Sequence, residues 1–241
     1  QTHMQPDAYG KTTIRNIYFD TDNYRLIRRS LESPAYKEKL RLRSYGIPGE
    51  ESPVFVELKK KFKGIVYKRR IELEKSAAAA WLSGGPAPDD SQISREIDWV
   101  INRYELSPKI IICCDREAWV DRENSELRFT FDKNIRYRED ELDLSFGDRG
   151  RLLLEDGSVL MEIKMPETSP LWLAELLSRH KVFPAGFSKY GKSYEQKLME
   201  EYYLICEDSL EGIFTGVYDA YLLKKPHEQI HFYLGEEENY R

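Results

Sequence analysis

Residues 36–70 read YKEKLRLRSYGIPGEESPVFVELKKKFKGIVYKRR, and the placing of charge in this stretch decides the fold. Lys39, Arg41 and Arg43 alternate with Leu40 and Leu42, the period of two expected of a strand with one charged and one apolar face. Gly46, Pro48 and Gly49 mark a turn. In the next run Glu57 and Lys59 take one parity, and Val56 and Leu58 take the other. Lys63-Gly64 reads as a tight hairpin turn, beyond which Lys68, Arg70 and Glu72 share a parity. Three successive antiparallel strands then set cations side by side on one face of a sheet.

The stretch holds eleven Lys/Arg against four Glu, a net +7, whereas the 241-residue chain sums to −5. A local excess of positive charge in an acidic protein points to a site for an anion, and the acidic total argues against a general nucleic-acid binder. Pattern alone leaves two readings open. The cations form a solvated outer face, where charged strand residues usually go, or they line the inner wall of a closed sheet that holds a polyanion.

Outward from this stretch, Thr12–Phe19 (TTIRNIYF) is strand-like and ends at the turn signal of residues 20–23. Residues 1–10 are short, polar and match no regular element. Tyr24–Leu31 forms a short helix with Arg25, Arg28 and Arg29 on its surface. Lys75–Leu82 is helical by alanine propensity and stops at Gly84-Gly85-Pro86. Ser91–Tyr104 spaces Ile93, Ile97, Val100 and Ile101 as a helix does. These two helices pack outside the sheet, with their aromatic residues in the core. Lys109–Trp119 and Leu127–Arg138 are strands, although the alternation past Asp132 leaves the directions of Lys133 and Arg136 open. Residues 140–157, acidic and glycine-containing, form a hairpin or loop excursion. Val159–Met165 repeats the central theme, with Glu162 and Lys164 on one face. Ser169-Pro170 opens a helix, and residues 187–203 lead through a loop into another.

Five blocks in order carry a family resemblance: KLRLRSYG (39–46), VFVELKKKFKGIVYKRR (54–70), LRFTFDKNIRYR (127–138), LMEIKMPETSPLWL (160–173) and FSKYGKSY (187–194). Together, from about Lys11 to about Leu198, they resemble the bacterial VTC-type polyphosphate polymerase domain, a CYTH-like triphosphate tunnel metalloenzyme. The resemblance implies an α+β fold, an antiparallel β-barrel (the triphosphate tunnel) with peripheral helices, over residues 1–205. It leaves residues 206–241 as an appendage of unassigned role, a place where an oligomer contact could form. That family opens with a strand of alternating Glu and Lys followed by a helix; nothing here matches it, so the first strand is expected to be missing.

The function implied is transfer of the γ-phosphoryl group of ATP to a growing polyphosphate chain, with Mn2+ or Mg2+ as cofactor. The alternatives are hydrolysis of tripolyphosphate or a nucleoside triphosphate in the same tunnel, and a non-catalytic polyphosphate or inositol-phosphate binder. Arg41, Arg43, Lys59, Lys68 and Arg128 are the implied catalytic wall, with Lys39, Arg136, Lys164, Lys189 and Lys192 binding phosphate. Arg forks match phosphate oxygens bidentately and Lys adds point charge. Glu162 is the implied metal ligand. Glu57 is either a second ligand or a counter-ion to its neighbouring lysines.

Other motifs exclude more than they assign. GFSKYGKS (186–193) matches the phosphate-loop pattern literally, but no buried strand precedes it and no βαβ alternation surrounds it. His3, His180, His227 and His231 have neither triad nor metal spacing. The three cysteines form no disulfide framework, and adjacent Cys113 and Cys114 point to opposite faces of a strand, so a reducing cytoplasm is expected. No apolar run approaches the length that crosses a bilayer.

Overall fold

The computed structural model describes residues 3–165, 168–199, 202–207, 209–223 and 229–234. The chain divides into two compact units, Gln1–Gly191 and Lys192–Arg241. The first is built on one antiparallel sheet: β1 (Met4–Asp20), β2 (Tyr36–Tyr45), β3 (Pro53–Phe62), β4 (Ile65–Glu74), β5 (Ser107–Asp121), β6 (Arg128–Arg138), β7 (Arg151–Leu152) and β8 (Leu160–Lys164). Its order is β4-β3-β2-β1-β5-β6, and β7 and β8 both pair with β6.

The two faces of this sheet differ as the alternation requires. On one, Leu40, Leu42, Val54, Val56 and Leu58 pack with Ile17, Phe19 and Ile111. Two helices cover them: α2 (Lys75–Leu82), through Ala78 and Trp81, and α3 (Gln92–Tyr104), through Ile97, Val100 and Ile101. Ser91 caps α3 by accepting the Ser94 backbone N–H, which satisfies one of the donors a helix start leaves free. The aromatic expectation holds for Trp81, 2% exposed, and fails for Trp99, which is 58% exposed on the solvent side of α3. Farther along the sheet, Leu127 and Phe129 pack with Leu173 and Trp172 of α4 (Leu171–Arg179). That helix starts one residue later than the Ser-Pro pair suggests, with Pro170 itself at the cap.

A short helix, α1 (Arg25–Leu31), follows β1. Its start is capped from a distance: the Asp20 carboxylate accepts the backbone N–H groups of Leu26 at 2.8 Å and Ile27 at 3.0 Å. Arg25, Arg28 and Arg29 lie exposed on its surface. The turn at Lys63-Gly64 has φ of 46° and 88°, the positive pair that a two-residue hairpin demands.

One expectation is corrected. Residues 4–10 do belong to an element, because β1 runs unbroken from Met4; a register shift against β5 between Pro6 and Lys11 scrambles the alternation there. The expected antiparallel sheet with peripheral helices is present; among the described residues β7 and β8 both pair with β6 and no strand pairs with the outer edge of β4, so this pairing does not by itself join the two edges that a closed barrel joins.

The second unit contains a parallel pair, β9 (Tyr202–Cys206) and β10 (Ile230–Leu234), joined through α6 (Leu210–Leu223). The tail of the chain thus holds a helix as well as strand.

Candidate functional site

The face of the sheet opposite α2 and α3 carries the charge. Cross-strand register arranges it in rows. Lys39 lies opposite Lys59, and Lys59 opposite Lys68; Arg41 lies opposite Glu57, and Glu57 opposite Arg70; Arg43 lies opposite Phe55, and Phe55 opposite Glu72. On β1, Tyr18 continues the second row and Asn16 the third.

Glu57 is the hub of these rows. Its side chain is 1% exposed and its two oxygens are fully engaged. One accepts Arg41 Nε at 2.7 Å and Nη2 at 2.6 Å. The other meets Lys68 Nζ at 2.6 Å and Arg70 Nε and Nη2 at 2.6 Å. Arg43 Nε stands 3.7 Å away and donates instead to Asn16 Oδ1 at 2.8 Å. Burial alone would raise the Glu57 pKa; Arg41, Arg43 and Lys68 outweigh it and hold the carboxyl well below the usual range. Arg70 also lies over the Phe55 ring, 4.3 Å from its centre.

The lysine row has less compensation. Lys39 donates to Ser188 Oγ at 2.8 Å, and Lys59 is exposed with no ion-pair partner among the described residues. Burial, reinforced by Lys37, Lys59 and Arg41, lowers the Lys39 pKa. Like charges placed directly opposite oppose folding, and an anion laid across the row removes that cost.

A second carboxylate hub sits on the same face. Asp132 of β6, 1% exposed, accepts Arg116 at 2.6 and 2.7 Å in a bidentate fork and Lys189 Nζ at 2.6 Å. Burial opposes its ionisation, but Arg116 and Lys189 keep the Asp132 pKa low. Cys114 faces this cluster, its thiol pushed up to about 11 by burial and by Asp132, whereas Cys113 packs in the opposite core, as adjacent strand residues must.

The segment entering α5 (Lys189–Leu198) crosses this face and ties it together. Three consecutive residues reach three strands: Ser188 to Lys39 of β2, Lys189 to Asp132 of β6, and Tyr190 to Asp20 at the end of β1. The Tyr190 ring stacks on Tyr18 at 4.8 Å. Tyr18, buried, receives a hydrogen bond from Arg41 Nη1 at 3.2 Å. Burial would raise its pKa, but Arg41, Arg43 and Lys39 hold it below the ordinary phenol value.

The remaining sequence candidates fall in three places. Glu162 and Lys164 project, exposed, from β8 opposite Thr130 and Arg128. Arg128 is exposed, and its Nε donates to Ser125 O at 2.9 Å. Arg136 lies apart, in register with Cys113 on the other face, where it meets Asp115 at 3.5 Å; Lys133 pairs with Glu117 at 3.0 Å. Lys192 belongs to the second unit and stands 3.6 Å from Glu195. His227 lies outside the described residues.

Arg70, Tyr18, Asn16, Arg116, Asp132 and Ser188 join the site without having been singled out. Arg70 was signalled by its parity with Lys68. The Arg116–Asp132 fork was hidden by a register shift between Cys113 and Asp115. Among the described residues no three His, Cys, Asp or Glu side chains gather as a ready metal cage, and no helix is long and apolar enough to cross a membrane.

Among solved structures, the chain is similar to a Bacillus halodurans protein crystallised as a candidate adenylate cyclase. The identity is 17%, the match covers 74% of this chain and 79% of that one, and the TM-score is 0.44. It is also similar to HpAC1 from Hippeastrum, a candidate adenylyl cyclase described as having a dominant triphosphatase activity. Here the identity is 16%, the coverage 77% and 83%, and the TM-score 0.41. At these scores neither likeness bears on what this chain does. No curated protein matches the chain. The VTC domain family model matches residues 1–198, and the chain belongs to the VTC domain family.

Proposed function

We propose that this domain is a metal-dependent polyphosphate polymerase, moving the γ-phosphoryl group of ATP onto the end of a polyphosphate chain held on the basic face. The observation that carries this reading is the extent of the cation rows. Lys37, Lys39, Arg41 and Arg43 share one face over seven residues of β2, about 20 Å of strand, with Lys59, Lys68 and Arg70 alongside. That span exceeds what three phosphoryl groups need and suits a longer linear polyanion.

In the transfer, a terminal phosphate oxygen of the chain bonds to the γ-phosphorus while the bond to the β-bridging oxygen breaks, and ADP leaves. Such chemistry requires positioning and charge stabilisation more than a protein nucleophile. Arg41, Arg43, Lys59, Lys68 and Arg128 hold the reacting phosphoryl groups and offset the charge spreading over their oxygens. Lys39, Lys164 and Lys189 bind the flanking phosphates. Arg136, on the other face, takes no part in this reading.

Glu162 suits a divalent cation better than Glu57 does. It is exposed and carries no ion pair among the described residues, and one carboxylate plus phosphate oxygens is a usual set for Mg2+ or Mn2+. The oxygens of Glu57 already serve Arg41, Lys68 and Arg70, which makes it the organiser of the cations. A bound metal supplies neutralisation of the phosphoryl oxygens.

A product assay tests the reading. Protein incubated with ATP and Mn2+ is expected to make long chains visible on a polyphosphate-stained gel, and an Arg41→Ala/Arg43→Ala variant to make none. Orthophosphate without long chains would convert the assignment to a hydrolase, and absence of metal-dependent turnover would leave a binding module.

A further inference from the structure

The cation row on β2 does not stop where the sheet does. Lys37, at its start, lies directly opposite Lys61 of β3, and neither has an ion-pair partner among the described residues. Lys37 Nζ reaches α1 and donates to Ser30 O at 3.3 Å. There Arg25 and Arg29 join Lys37 round a shallow cleft that Tyr36, Glu38 and Tyr104 complete. Arg25, Arg28 and Arg29 recur at helical spacings of three and four, so they share one side of α1. All three are exposed and form no ion pair among the described residues. The acid in the cleft is spent elsewhere: Glu38, 4% exposed, accepts the Tyr36 hydroxyl at 2.8 Å and is hydrogen-bonded to Tyr104. Arg25 lies over the Tyr104 ring, 5.6 Å from its centre, a contact that orders the guanidinium without neutralising it. A solvated helix face would account for Arg28. It does not account for the continuity from Lys39 through Lys37 and Lys61 to Arg29 and Arg25, nor for like charges placed directly opposite, which oppose folding.

We propose that α1 and the start of β2 form a second polyanion site, a track over which linear polyphosphate leaves the basic face, with Lys37, Lys61, Arg29 and Arg25 holding successive phosphates. This rests on the polymerase reading, because a triphosphate laid along Lys39, Arg41 and Arg43 ends before the cleft and only a longer chain reaches it. The guanidinium groups grip phosphate oxygens in pairs and the lysines add point charge. The track takes no part in the transfer itself. It keeps a grown chain on the protein between transfers, so its role is to favour long chains over short ones.

The test uses the whole chain and calorimetry at one fixed salt concentration, with long-chain polyphosphate and tripolyphosphate as the two probes. The readout is the ratio of their affinities. Arg25→Gln/Arg29→Gln is expected to lower that ratio roughly five- to tenfold, the loss of two exposed charge contacts, and Arg25→Lys/Arg29→Lys to restore most of it. Arg29→Gln alone, which keeps the Arg25–Tyr104 contact, serves if the double variant melts lower than the parent. Arg122→Gln/Arg179→Gln, which removes the same charge from exposed positions outside the track, is expected to keep the parental ratio. An equal fall in this control would reduce the effect to net charge and overturn the track. If Arg25→Gln/Arg29→Gln keeps the parental ratio while Arg41→Ala/Arg43→Ala loses both probes, the track falls and the basic face stands. If the parent holds long chains no more tightly than tripolyphosphate, the track and the argument from the extent of the cation rows fall together. Failure of the polymerase reading alone appears in the product assay and leaves this ratio unchanged.

Discussion

Glu57 makes the sharpest statement about single residues, because removing its charge leaves four cations facing a neutral group. Breaking a buried pair costs about 3–5 kcal/mol. Here Lys68 and Arg70 remain 45% and 35% exposed at their side chains, so water shares the screening. Glu57→Gln is therefore expected to lower stability by about 2 kcal/mol in a denaturant titration at pH 7. The sign of its pH dependence follows from the depressed folded pKa. The stabilisation is complete above the unfolded carboxylate pKa of about 4.3, and it is lost as pH falls below that value. The gap between parent and variant should narrow between pH 5 and pH 3, and a constant gap over that window would contradict the hub role. Lys59 behaves in the opposite way, since it sits unpaired between Lys39 and Lys68. Lys59→Met is expected to raise ligand-free stability by some tenths of a kcal/mol, while weakening tripolyphosphate binding in the same buffer.

At the scale of elements, the β3–β4 hairpin is both readable and improvable. Lys63 holds φ of 46°, a left-handed conformation that costs an ordinary L-residue about 1–2 kcal/mol and asparagine less. Lys63→Asn supplies the Asn-Gly pair that such turns favour and is expected to raise the unfolding free energy by up to about 1 kcal/mol, read as a higher denaturant midpoint; a lower midpoint would reject this account of the turn. Beneath the hairpin, Leu58 is fully buried, and Leu58→Ala is expected to cost about 2–5 kcal/mol. The strands around these residues were legible because period-two alternation is a local property: Leu40 and Leu42 point one way, and Arg41 and Arg43 the other. Tyr18 and Asn16 were less legible. In TTIRNIYF the eye goes to Arg15, which points away and pairs with Asp148, while the two neutral residues face the cations. Ser188 could not be read at all, since its bond to Lys39 joins residues 149 apart. The register shifts in β1 and β5 likewise broke the alternation that would have disclosed residues 4–10 and the Arg116–Asp132 fork. Closure of the barrel, inferred from family resemblance, depends on which edges meet, a property no single strand encodes.

For the molecule as a whole, concentrating cations on one face of an acidic chain makes stability depend on ligand. A polyanion at a hundred times its dissociation constant is expected to add about 2.7 kcal/mol to unfolding, read as a concentration-dependent melting shift that adenosine fails to produce. The same charge separation makes the association rate fall with added salt. The outer edge of β4, unpaired among the described residues, brings a further effect. Ile65, Val66 and Tyr67 are 59%, 48% and 43% exposed along it, and an unpaired strand of that kind is a template for neighbouring chains. Directly after them come Lys68, Arg69 and Arg70, gatekeepers whose repulsion keeps two such edges from zipping together. A polyanion that neutralises Lys68 and Arg70 silences part of that guard. Solubility and occupancy are thereby coupled, and light scattering should rise at ligand ratios where one polymer bridges two half-neutralised edges, then fall once each molecule carries its own excess of negative charge.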